Sequence, residues 1–299
     1  MSLSRNLGRT FVVTAELDPP RGPDPTGTLQ EARALRGLVD AVNVSDCPMA
    51  NLRMSPIAVA HLIQRDIGVE VIFHLTCRDR NVLGLQAELL GAHALGVRHI
   101  LCLYGDPPAR GDHPDAAGVY EVGADGLAGI ARELNAGRSR AGRELGAATD
   151  FRIGVALNPT NPDLTKETQR LREKVDSGAN FAQTQPVFTR EQVERFIDAT
   201  GELPIPVLFG VLPIRSVKMA QNVQKWAQVP LELLRAVEER GAAAGVEWSA
   251  RLVDDLRDLG VAGVHLYPLG KPSVVSQVLR AEQPVHVAPT AGPSGLAAS

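Results

Sequence analysis

Three observations predict an α/β fold, specifically a single-domain (β/α)8 TIM barrel. First, Val71-Ile-Phe-His74-Leu-Thr76 and His99-Ile-Leu-Cys-Leu-Tyr104-Gly105-Asp106 are β-branched and apolar runs that end abruptly in polar residues. Between them, Asn81 to Gly96 carries Val82, Leu85, Leu89 and Ala92 at helical spacing, so the three pieces read as a parallel βαβ unit. Second, the strand–helix alternation recurs eight times at a spacing of roughly 25–40 residues, as a (β/α)8 barrel requires. Third, the rival open doubly wound sheet would show a glycine-rich phosphate turn after its first strand. Here that strand ends Glu16-Leu-Asp18-Pro-Pro, and G-x-G occurs nowhere.

The elements follow in order. Phe11 to Glu16 reads as the first strand, with a helix over about 27–37. Asp40 to Ser45 is the second strand and Ser55 to Asp66 its helix. The strands at 70–76 and 99–104 come next, then a helix near 124–135. Arg152 to Leu157 is the fifth strand, and Leu164, Leu171 and Val175 stripe the helix after it. Asn180 to Thr184 is a short sixth strand, followed by a helix over Glu191 to Ala199. Pro206 to Val211 is the seventh strand, with a helix over Val217 to Ala227. Two more helices span about 231–244 and 249–259, the second capped by Ser249 and stopped at Gly260. Ala262 to Tyr267 is the eighth strand, and a helix near 272–281 closes the series. Residues 1–280 are expected to form the barrel. The Ala-, Pro-, Gly- and Ser-rich segment 281–299 is expected to be a disordered tail. Two loops are long, Ala109 to Gly123 and Asn135 to Asp150, and loops of that length are often functional or mobile.

Composition narrows the partners. The chain has 299 residues, ample for a large core, and a formal net charge of −3 argues against nucleic acid. No apolar run reaches the ~18 residues of a membrane span. The start, Met1-Ser-Leu-Ser-Arg-Asn, is too short and polar for a signal peptide, which suggests a cytoplasmic location. Cys47, Cys77 and Cys102 are widely separated and read as small apolar fillers rather than a disulfide or zinc framework.

In a barrel, the residues at the C-terminal strand ends face one cavity. Here they are Glu16 and Asp18, Asn43 and Ser45, His74 and Thr76, Tyr104 and Asp106, Asn158, Gln183 and Gln185, and Tyr267. H-E-x-x-H, G-x-S-x-G and the Walker pattern are all absent, so no metal site is expected and nucleophilic hydrolysis is disfavoured. Acid–base chemistry by a buried carboxylate, assisted by a cofactor, is what the set favours. Bland readings stand beside it. Glu16 could be a rim salt-bridge partner, Asp106 a turn former and His74 a satisfied core histidine. Strict alternation puts Gln183 and Gln185 on one face, which favours a ligand over packing. His61, His93, His99, His113 and His286 read as surface or loop residues.

At these residues the chain resembles the methylenetetrahydrofolate reductases, closest to the reductase half of bacterial bifunctional homocysteine methyltransferase/methylenetetrahydrofolate reductase proteins. The matching pieces are Glu16-Leu-Asp-Pro-Pro20, Val42-Asn-Val-Ser-Asp46 with Arg53-Met-Ser55, and Phe73-His-Leu-Thr-Cys-Arg-Asp-Arg-Asn81. They continue with Gly105-Asp-Pro-Pro108, Lys174-Val-Asp-Ser-Gly-Ala179, Gln183-Thr-Gln-Pro-Val-Phe188, Gly210-Val-Leu-Pro213 and His265-Leu-Tyr-Pro268. They occur in family order across about residues 10 to 280. Together they are highly specific.

The resemblance implies a flavin-dependent barrel in which NADH or NADPH reduces FAD, and FAD reduces 5,10-methylenetetrahydrofolate to 5-methyltetrahydrofolate. It implies a folate substrate and a nicotinamide nucleotide as partners, and leaves homo-oligomer formation open. Glu16 takes the place of the family's general acid, and Asp106 that of the aspartate beside the flavin and pterin. Gln185, with Gln183 and Lys271, falls on the substrate side. Ser45, His74, Thr76, Tyr104, Gly105, Asp106, Asn158 and Lys174 fall where the family holds its flavin. Tyr104 replaces a common arginine, the Asn158 turn lacks a tyrosine and histidine, Glu173 stands where an arginine is usual, and Met219 replaces a glutamine. The alternative is a folate-binding barrel subunit that binds flavin weakly or not at all and needs a partner or another electron carrier.

Overall fold

The computed structural model describes residues 3–281. Eight parallel strands close into a barrel in which each strand pairs with its sequence neighbours and the last with the first. The strands are β1 (Val12–Leu17), β2 (Ala41–Val44), β3 (Glu70–Thr76), β4 (His99–Leu103), β5 (Arg152–Leu157), β6 (Phe181–Val187), β7 (Val207–Val211) and β8 (Gly263–Leu266). Eleven helices are described. They are α1 (Leu3–Asn6), α2 (Thr26–Leu35), α3 (Pro56–Ile67), α4 (Val82–Ala94), α5 (Ala124–Asn135) and α6 (Leu164–Asp176), then α7 (Arg190–Thr200), α8 (Val217–Val223), α9 (Leu231–Arg240), α10 (Ala242–Asp258) and α11 (Ser273–Ala281). The expected disordered tail, Ala281 aside, lies outside the described residues.

Two expectations are corrected. Ser249 does not cap a helix: it is buried inside α10, whose first turn begins at Gly241. Three alanines extend that helix upstream, because alanine favours helix even without an apolar stripe. His99 is not a surface residue. It starts β4 at 4% exposure, and its Nε2 meets Glu70 Oε2 at 2.9 Å.

The core has two layers. Outward-facing strand residues pack against α2 to α7, α10 and α11. Inside the barrel, Leu3, Val12, Ala41, Ile72, Leu101, Phe181 and Leu208 form an apolar floor at the N-terminal end. The polar start of the chain gave no sign of α1, yet Leu3 is fully buried there. Its amide donates to Glu70, and Asn6 donates to Asp40. The cysteines Cys77 and Cys102 are buried in the outer layer, between strands and helices.

Closure depends on one glycine. Gly263 opens β8 with φ +154° opposite Val12, and a Cβ there would lie 2.0 Å from the Val12 carbonyl oxygen. Gly263→Ala is therefore expected to destabilise the barrel by about 2–4 kcal/mol, read by urea denaturation. A melting curve superimposable on the parent would show that the β1–β8 seam tolerates the extra carbon.

Candidate active site

Period-two alternation puts Thr14 and Glu16 on one face of β1, Asn43 and Ser45 on one face of β2, and His74 and Thr76 on one face of β3. The lower members of these pairs meet inside the barrel, above the apolar floor. Asn43 Nδ2 donates to Gln183 Oε1 at 2.6 Å and to His74 Nε2 at 2.9 Å. Gln183 Nε2 donates back to Asn43 Oδ1 and to Thr14 Oγ1, at 3.2 and 3.1 Å. The Thr14 hydroxyl lies 2.8 Å from His265 Nδ1. A buried polar network is stable when its members are satisfied, and here the amides of Asn43 and Gln183 and the Thr14 hydroxyl all find partners within it. Burial pushes the His74 imidazole down to about 4 and the His265 imidazole down to about 3, so both are neutral at physiological pH. With Nε2 accepting from Asn43, the His74 proton sits on Nδ1.

Above this layer Glu16 stands on β1 at one side of the mouth. Among the described residues nothing hydrogen-bonds or ion-pairs with its carboxyl. Surrounding protein desolvates it and the Asp18 charge repels it, raising its pKa from 4.5 to about 8. Glu16 lines a cavity of about 310 Å3 with Asp18, Arg53, Glu31 and the β8 loop residues Pro268 to Gly270. The Ser45 hydroxyl donates to Asp18 at 2.7 Å, which ties β2 to the Glu16 side of the mouth. Lys271 is exposed between Gly270 and Pro272, both of which line this cavity.

On the opposite side, Gly105 turns with φ +91°, and a Cβ there would press on Thr76 and Arg78 at 3.0 and 3.1 Å. Asp106 follows on a partly exposed turn, its carboxylate 3.2 Å from Arg110. The long loop after this turn folds back rather than hanging free. The Val119 and Tyr120 amides donate to the Arg78 and Cys77 carbonyls, and the Tyr120 hydroxyl donates to the Asp106 carbonyl at 3.0 Å. Tyr104, 56% exposed, stacks on Tyr120 at 4.5 Å.

Beneath the turn lies an ion pair. Asp46, 1% exposed, accepts from the Thr76 amide and hydroxyl at 2.9 and 3.0 Å and from Arg80 at 2.7 Å. Thr76 therefore anchors β3 to β2, and the lone pairs of its hydroxyl are all it has left for a ligand. Asn158 is likewise turned into its own loop, accepting from the Thr160 amide and hydroxyl. Lys174 Nζ donates to the Ala156 carbonyl at 2.6 Å, and burial lowers its pKa. Glu173, one residue away, is exposed and accepts from Gln169.

The premise that Gln183 and Gln185 share a face by alternation does not hold. The β6–β7 register shifts between Gln183 and Pro186, which inserts an extra residue. Gln183 is buried in the network, whereas Gln185 is exposed near the C-terminal end of a strand whose outer face is covered by helices. Its opening is thus to the mouth. The structure brings Glu16, Asp18 and Ser45 together, joins His74 to Gln183 through Asn43, and sets Tyr104, Gly105 and Asp106 on a separate turn. Reading by strand-end position alone missed Thr14, Asp46, Arg53, Arg80 and Tyr120. His265 was detectable, two residues before Tyr267 on the same strand.

The donor set suits a flavin dinucleotide in kind: a neutral imidazole with one donor nitrogen, an exposed aromatic plane, strand-end hydroxyls, and a single lysine with its neighbouring carboxylate turned to solvent. Comparison with known proteins gives the wider frame. The sequence model of the family described as methylenetetrahydrofolate reductase matches residues 3–283. A 5,10-methylenetetrahydrofolate reductase of Pectobacterium carotovorum subsp. carotovorum is 29% identical over 287 residues, 90% of this chain and 89% of that protein. Methylenetetrahydrofolate reductase 1 of Schizosaccharomyces pombe is 26% identical over 240 residues, 74% of this chain and 37% of that protein. The chain thus spans about a third of the yeast relative's length, and the match to a probable reductase of Caenorhabditis elegans covers 32% of that protein. Among solved structures, a Clostridium thermocellum protein that binds two copies of 5-methyl-5,6,7,8-tetrahydrofolic acid superposes with a TM-score of 0.63 at 13% identity, over 91% of this chain and 94% of its own. That likeness is one of fold.

Proposed function

Because the chain belongs to the methylenetetrahydrofolate reductase family, we propose that it reduces 5,10-methylenetetrahydrofolate to 5-methyltetrahydrofolate with electrons from NADH or NADPH, and that it does so in the cytoplasm. The observation that carries this reading is Glu16, a carboxyl with no hydrogen-bond or ion-pair partner among the described residues, at the edge of a cavity and with its pKa raised to about 8. At neutral pH it is mostly protonated and can donate.

The roles follow from position. Glu16 donates its proton to a ring nitrogen of the bound substrate, which opens the five-membered ring to a reactive iminium. Gln185 offers an amide at the mouth to the substrate, and Lys271 faces the cavity rim where an anionic tail would leave. Bound FAD would supply the hydride-transfer chemistry between nicotinamide and folate. For it, His74 Nδ1–H is the available imidazole donor, Ser45 and Thr76 keep acceptor lone pairs, and Tyr104 with the Gly105–Asp106 turn supplies a flat wall. Asn158 and Lys174 complete the set if they exchange their internal partners for the ligand. Two neutral histidines suit hydride chemistry, because neither adds a mobile charge to the barrel interior.

The direct test is the purified protein itself. It is expected to be yellow, with a flavin absorbance band, and to oxidise reduced nicotinamide when methylenetetrahydrofolate is supplied. A second reading, a folate-binding barrel that depends on another subunit for electrons, is favoured by the number of flavin-side groups already engaged: Ser45 with Asp18, Thr76 with Asp46, Asn158 with Thr160 and Lys174 with Ala156. A colourless protein that gains no activity from added FAD would sustain that second reading against the first.

A further inference from the structure

The β6 bulge is held from three directions. Gln183 sits opposite Leu208 and Pro186 opposite Gly210, so three steps along β6 face two along β7. Thr184 and Gln185 lie at the irregularity, and Thr184 holds it. Its hydroxyl donates to the Gln185 carbonyl at 2.7 Å and accepts from the Gly210 amide at 2.9 Å. Its own carbonyl accepts from the Tyr267 hydroxyl at 2.8 Å. Gly210 must lack a side chain, since a Cβ would lie 2.5 Å from the Thr184 carbonyl oxygen and 2.8 Å from the Tyr267 ring. Tyr267 comes from just past the end of β8, on the far side of β7, and its ring meets His265 edge-on at 4.5 Å. His265 in turn belongs to the buried network that fixes Gln183. The two glutamines are therefore fixed by one assembly, Gln183 directly and Gln185 through the bulge.

We propose that Tyr267 is a positioning residue: by holding the Thr184 carbonyl across β7 it keeps the β6 bulge in register and so fixes the direction in which Gln185 meets the substrate. Bulges re-aim side chains beside active sites, and the direction holds only if the extra residue is pinned. A phenylalanine would retain the ring, its packing on His265 and the contact with Gly210. Only the hydroxyl that pins the bulge would be lost. The inference rests on the assignment of Gln185 to the folate substrate.

The test is a double-mutant cycle on the full chain with Tyr267→Phe, Gln185→Ala and the double variant. It reads Kd for 5-methyltetrahydrofolate by equilibrium titration, and kcat against KM for methylenetetrahydrofolate. Tyr267→Phe is expected to raise Kd and KM about 5–20-fold with kcat within about 2-fold, and to add less than about 2-fold in the Gln185→Ala background, because paired residues are non-additive. Additive effects would overturn the proposal, since they would mean that Tyr267 acts on stability or on another group. A shift of the pH limb near 8 would also overturn it, because Glu16 is the charged neighbour of the Tyr267 hydroxyl. Failure of the underlying reading looks different: Gln185→Ala alone would leave Kd unchanged.

Discussion

Glu16→Gln is expected to lower folate reduction by about 10²–10⁴-fold, the usual contribution of a positioned acid. Electron transfer from nicotinamide to an artificial acceptor should largely survive, because only the folate half-reaction needs a proton donor. Stopped-flow measurement of the two half-reactions separates them, and an equal fall in both would remove Glu16 from the acid's role. The pH dependence has a definite sign. In the proposed role the acid form is the donor, so the parent's folate reduction should fall as pH rises through about 8. The same carboxyl couples to stability. Its native pKa lies above the unfolded value, so the native state binds more protons between about 4.5 and 8, and stability falls as pH rises through that window. Glutamine does not titrate. Glu16→Gln should therefore gain melting temperature relative to the parent at pH 9, with little difference at pH 4.

Arg80→Met is expected to cost about 3–5 kcal/mol, the usual result of removing one partner of a buried pair. Asp46 would then be left with its charge facing only the Thr76 amide and hydroxyl. Arg80 is 19% exposed and Asp46 1%, so water cannot readily replace the guanidinium. Urea denaturation at pH 7 reads the loss. A loss of 1 kcal/mol or less at pH 7 would show that the pair is effectively solvated. Asp46 follows Ser45 at the end of β2 and joins it to β3, so the variant should disturb the mouth as well as the fold.

Much of the architecture was legible because strands and helices differ in period. The runs at Val71 to Thr76 and Arg152 to Leu157 became strands at their expected bounds, since β-branched residues ended in polar turns on both sides. Boundaries failed where local chemistry was weak. Ala242 to Ala244 carry no amphipathic signal, and α10 begins there because alanine favours helix without one. The short helix α1 escaped notice for the same reason: one leucine on a polar segment marks nothing until the barrel floor receives it.

The candidate site was legible in part. Glu16, Ser45, His74 and Asp106 could be placed because each lies at or just past a strand end, and strand ends in a barrel converge. Thr14 and His265 lie one pleat lower and are silent as strand ends, although the same alternation passes through them. Asp46, Arg80 and Tyr120 depend on loops meeting across strands, and no local pattern encodes such a meeting.

What the sequence determined by itself is the eight-fold alternation, the polar strand ends and the motif order that places the chain in its family, because all three are carried by residues close together along the chain. What only the tertiary structure decided is the chemistry of those residues. The raised pKa of Glu16 comes from the protein that surrounds it and from Asp18 beside it. The neutrality of His74 comes from burial within a network drawn from several strands. The separation of Gln183 from Gln185 comes from a register shift against β7, which strict alternation along β6 would deny. Desolvation and strand register are properties of neighbours distant in sequence, so they come into being only when the barrel closes.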